Sequence, residues 1–85
     1  MSAAPVALIR ERIEAALSPT ALEVIDEGHL HAGHAGEGQG HFRVRISSPA
    51  FAGKLPLQRH RMVYAAVDDL MNNGIHALAI EASVE

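Results

Sequence analysis

Thirteen residues, Gly28 to Gly40 (GHLHAGHAGEGQG), hold five glycines and three histidines and almost nothing that could pack into a core. Such a stretch reads as a loop, and a long one for a chain of 85 residues. What flanks it then constrains the fold. On the N-terminal side, Ala21 to Glu27 (ALEVIDE) alternates Leu22 and Val24 with Glu23. On the C-terminal side, His41 to Ser47 (HFRVRIS) sets Phe42, Val44 and Ile46 on one face and His41, Arg43, Arg45 and Ser47 on the other. Two strands that flank one loop predict an antiparallel hairpin.

The rest of the chain supplies the covering layer. Val6, Ile9, Ile13, Ala16 and Leu17 recur at three- and four-residue steps, which predicts a helix from about Ala4 to Leu17 that Ser18-Pro19 ends. Ser48 to Gly53 reads as a turn or a single helical turn, with Pro49 near its start. A second long helix is expected from about Leu57 to Asn73, with Leu57, His60, Val63, Val67, Leu70 and Met71 as its apolar stripe and Asn73-Gly74 as its stop. Ile75 to Val84 is apolar and short enough for a last strand. A helix between the second and third strands implies a crossover and parallel pairing. The expectation is one α+β domain over residues 1–85, in the order α-β-β-α-α-β, with a three-stranded mixed sheet and helices packed on one face.

A domain this small buries only roughly 60–65% of its unfolded surface, which leaves no room for a deep enzyme cleft beside the core. The chain has no cysteine, so it has no disulfide, no thiolate nucleophile and no sulfur ligand of its own. A Gly-x-Ser-x-Gly elbow, a His-Glu-x-x-His pair and a phosphate-binding Gly-x-x-x-x-Gly-Lys-Ser/Thr loop are all absent. No enzyme activity and no small-molecule substrate are expected. No apolar run approaches the roughly 20 residues that span a bilayer, and the first residues lack a basic start followed by an apolar block. The sequence reads as a cytoplasmic, non-membrane protein.

The formal charge of −3 is unevenly spread. Between Gly38 and Val67 stand Arg43, Arg45, Lys54, Arg59 and Arg61 with no acid, so that segment is +5 and the remainder −8. A basic segment of this kind can face nucleic acid or an acidic protein, or be a solvated face. The six histidines are the other unusual feature, four of them between positions 29 and 41. Imidazole is a common metal ligand, although histidines in a Gly-rich loop bind loosely unless something else fixes them. His60 falls on the apolar stripe and reads as a buried, hydrogen-bonded side chain. His76 begins the last strand, where an imidazole can face solvent.

LEVIDEGHLH, HFRVRISSPAFAGK, LQRHRMVYAAV and GIHALAI together resemble the BolA family, with Phe51-x-Gly53, the Arg59–Tyr64 run and His76-Ala77-Leu78 in order and at the right gaps. The resemblance covers about Ile9 to Ile80. It implies a fold like the second class of KH domains. It also implies a complex with a monothiol glutaredoxin, in which the two proteins share a 2Fe-2S cluster and the glutaredoxin and its glutathione supply thiolates. By the same resemblance His76 is a cluster ligand, and the second comes from the loop at His31, with His29 and His34 as substitutes because the loop is about a residue longer than the common pattern. A chain without cysteine can lend imidazoles to a cluster whose thiolates come from elsewhere. The competing expectation is a DNA-binding transcriptional regulator of the BolA type, using Arg43, Arg45, Lys54, Arg59 and Arg61. Against it stands the net negative charge of the chain. Metal buffering by the loop histidines ranks third.

Overall fold

A computed structural model describes residues 5–27, 40–71 and 73–84. His29, His31 and His34 therefore lie outside the described residues. Helix α1 spans Pro5–Leu17, strand β1 Ala21–Asp26 and strand β2 His41–Ser47; a 3-10 turn follows at Pro49–Phe51. Helix α2 spans Pro56–Ala66, a second 3-10 turn Asp68–Leu70, and strand β3 Ala77–Ser83. No helix among the described residues is long and apolar enough to cross a membrane.

The sheet order is β1-β2-β3. β1 pairs antiparallel with β2, from Ala21↔Ser47 to Asp26↔Phe42, and β2 pairs parallel with β3, from His41↔Ala77 to Ser47↔Ser83. The alternation in β2 sets the inside. Phe42, Val44 and Ile46 are buried and meet Ile9, Ile13 and Leu17 of α1, Val63 of α2, and Phe51, Val67, Leu70, Ile75 and Leu78. Each such side chain taken from water contributes about 1.5–3 kcal/mol. The other face of the sheet is covered by no helix among the described residues and carries Glu23, Arg43, Arg45 and Glu81.

Three expectations about the long helix need correction. It stops at Ala66 rather than Asn73. At Val67, with φ −111° and ψ 20°, the helical path breaks, and Leu70 N–H reaches Val67 C=O (2.8 Å) in a tighter 3-10 turn. The break leaves Val63, Val67 and Leu70 all buried, so the apolar pattern reads as one continuous helix. The stripe also begins later than Leu57, which is 61% exposed beside Leu55 at 69%. The first turn of α2, with Pro56 at its start and Gln58 Oε1 accepting from Leu55 N–H (2.8 Å), lies beyond the core it approaches. His60 is half-buried, makes no side-chain hydrogen bond among the described residues, and is not the buried, bonded histidine expected.

Helix side chains donate to carbonyls on both edges of the sheet. Ala77 N–H points to β2, donating to Gly40 C=O at 3.1 Å, so Leu78, Ile80 and Ala82 turn their backbone groups outward. From α2, Tyr64 Oη donates to Leu78 C=O (2.9 Å) and Arg59 Nη1 to Ala82 C=O (3.4 Å). On the far edge, Arg10 Nη1 of α1 donates to Leu22 C=O of β1 (3.2 Å).

A candidate metal-ligand site at the entrance to the last strand

Where β2 begins, Gly40 has φ +78°, in the left-handed region that glycine tolerates. Its carbonyl accepts two hydrogen bonds from the approach to β3, from His76 N–H at 2.8 Å and Ala77 N–H at 3.1 Å. A Cβ at residue 40 would stand 2.8 Å from the His76 nitrogen and 3.0 Å from the Gly74 oxygen. The backbone at His76 is therefore pinned against a residue that must lack a side chain.

His41 follows at once. Its backbone carbonyl accepts from Glu27 N–H (2.8 Å), which closes the β1–β2 pairing, and its ring stacks on that of His76 with centroids 5.5 Å apart and planes at 28°. His76 is exposed and His41 half-buried. Sequence reasoning gave His41 only an outward position on its strand and no part in a site. The parallel register His41↔Ala77, which brings the residue before Ala77 alongside, is the signal that finds it.

Two neighbouring imidazoles offer nitrogen donors and no thiolate. Among the described residues no group of three or more His, Cys, Asp or Glu side chains converges to hold a metal ion. Two imidazoles fall short of the four ligands of a closed metal site.

The five cations of the basic segment are not gathered on one surface. Arg43, on the open sheet face, places Nε 2.8 Å from Glu27 Oε2 and Nη1 2.8 Å from Glu81 Oε2. The hydrogen bonds it donates to Glu27 and then Glu81 raise its pKa above the ordinary guanidinium value. Arg45 lies 3.4 Å from Glu23 and 3.3 Å from Glu81. Arg59 donates from Nε to Lys54 C=O (2.9 Å) besides its bond to Ala82. Lys54 and Arg61 are exposed and form no ion pair among the described residues.

A small α+β domain that presents a histidine beside a parallel strand pair is the class of protein defined here. The family model for BolA-like protein matches residues 13–85, and the chain belongs to that family. It is 48% identical over 82 residues to mouse BolA-like protein 1, covering 95% of this chain and 59% of that one. Escherichia coli DNA-binding transcriptional regulator BolA is 43% identical over 77 residues, covering 86% of this chain and 72% of the relative. The Arabidopsis SufE-like protein 1, chloroplastic/mitochondrial, is 44% identical, and this chain spans only 22% of its length. The solved structure of the BolA domain of that SufE1 superposes with a TM-score of 0.84 at 42% identity, covering 99% of this chain and 95% of the domain.

Proposed function

We propose that this chain is a non-enzymatic partner of a monothiol glutaredoxin and lends imidazole ligation to a shared 2Fe-2S cluster. The observation that carries this reading is the exposed His76, fixed at its backbone by Gly40 and flanked by a second imidazole, in a chain with no cysteine. The glutaredoxin and its glutathione supply the thiolates, and the complex serves cluster sensing, storage or transfer. The compartment that fits is the cytoplasm. His76 is the first ligand. His31 of the Gly-rich loop is the second, with His29 and His34 as neighbours able to substitute. When bound, the cluster supplies redox chemistry at a potential that histidine ligation raises relative to all-cysteine ligation.

The test mixes the chain with a monothiol glutaredoxin, glutathione, iron and sulfide. A coloured heterodimer is expected, with a visible spectrum unlike that of the glutaredoxin homodimer. His76→Ala should remove that difference and His31→Ala should diminish it less. An unchanged spectrum for the His76→Ala mixture, with binding intact, would leave a protein–protein contact and no ligation.

A second reading has the support of the E. coli relative's name, DNA-binding transcriptional regulator BolA. If this chain shares that role, the cations available to phosphates are Lys54 and Arg61, because Arg43 and Arg45 are already paired with carboxylates.

A further inference from the structure

We infer that His41 is a positioning residue for His76: its ring selects the orientation in which the His76 imidazole is offered to a metal centre brought by a partner. This rests on the ligand reading of His76 and goes beyond it, since His41 is given no bond to the metal. Three observations carry it. The His76 backbone is already fixed, because Gly40 C=O accepts from both His76 N–H (2.8 Å) and Ala77 N–H (3.1 Å). What remains free is the side chain of an exposed residue, and the only aromatic ring stacked on it among the described residues is His41, at 5.5 Å and 28°. His41 itself sits inside the regular β2 ladder, paired with Ala77, with its carbonyl bonded to Glu27 N–H (2.8 Å). The stack thus joins an exposed donor to a residue held in the strand ladder.

The physical consequence is preorganisation. An exposed imidazole must give up side-chain freedom when it coordinates, and a ring that has already lost part of that freedom binds more tightly. Loss of the stack should weaken cluster-dependent heterodimer formation by roughly three- to tenfold. Gly40 and His41 act together: one holds the main chain of the donor and the other its ring.

The experiment compares the unaltered chain with His41→Ala, His41→Phe and His76→Ala. In the free chain, NMR should show ring-to-ring cross-peaks between His41 and His76 and a single His76 side-chain rotamer. His41→Ala should let that rotamer average, and in titration against cluster-loaded glutaredoxin should lower affinity three- to tenfold while the visible spectrum keeps its shape. His41→Phe, which keeps a stacking ring but no donor nitrogen, should restore both rotamer and affinity. A His76 rotamer that stays fixed in His41→Ala overturns the proposal. So does a spectrum that changes shape in both His41 variants, which would make His41 itself a ligand. The cluster reading fails separately, through an unchanged spectrum in His76→Ala, and the NMR of the free chain then still decides whether His41 orients that ring.

Discussion

Ser48 is fully buried, and its hydroxyl is used from both sides. Oγ donates to Leu17 C=O at the end of α1 (2.7 Å) and accepts from Ala50 N–H at the 3-10 turn (3.1 Å). Ser48→Ala leaves the Leu17 carbonyl without its buried donor and the 3-10 turn without its cap, and should cost about 1–3 kcal/mol, read as a lower urea midpoint at an unchanged slope. His60 makes the opposite case. Half-buried and without a side-chain hydrogen bond among the described residues, it should lose less than about 1 kcal/mol on His60→Ala. A midpoint drop as large as that of Ser48→Ala would mean the core depends on this imidazole. The sequence misplaces His60 because a helical stripe gives the direction a side chain points and not how far the packed region extends along the helix. His41 escapes notice for another reason: its partner lies 35 positions away and is set by strand register, which no local pattern encodes.

Among the elements, β2 is read from the sequence with its observed bounds, His41–Ser47, because its alternation is strict and its inward side chains are all large. The hairpin and the parallel third strand follow from the loop and the crossover, and both are present. The end of α2 is not legible, since a helix that tightens into a 3-10 turn after Val67 keeps Leu70 inward. That turn is tied to α1. Arg12 Nε lies 3.2 and 3.0 Å from the two Asp69 carboxylate oxygens, with Nη2 at 2.9 Å from Oδ2. The hydrogen bond from Arg12 lowers the Asp69 pKa below its ordinary 3.8. A carboxyl with a depressed folded pKa adds stability that is complete above the unfolded value and is lost as pH falls through the folded one. The unaltered chain should therefore lose stability over Asp69→Asn as pH drops below about 4, and the gap between them should be constant near neutrality. Thermal unfolding of both proteins across that range checks it. Two curves that stay parallel down to low pH would show that the pair adds nothing. The contact is solvent-exposed, so the effect should also shrink with added salt.

At the scale of the molecule, the +5 segment of the sequence is divided by the fold. Arg43 and Arg45 spend their charge on Glu23, Glu27 and Glu81, and Arg59 lies along the β3 edge. If the chain binds DNA, Lys54→Glu with Arg61→Glu should weaken it and flatten the dependence of affinity on salt by about two units of slope. Anisotropy titrations at several salt concentrations measure this, and an unaltered slope would exclude both residues from phosphate contact. Arg59→Glu is a poor probe of the same question, because it also removes the bond to Ala82 C=O. That bond, with those from Tyr64 to Leu78 and Arg10 to Leu22, has a consequence for how such a sheet meets another. At those three carbonyls a foreign strand would find the acceptor already taken. Acceptors on the outer strands that are already occupied by helix side chains guard so small a sheet, at those positions, against pairing with the sheet of another molecule.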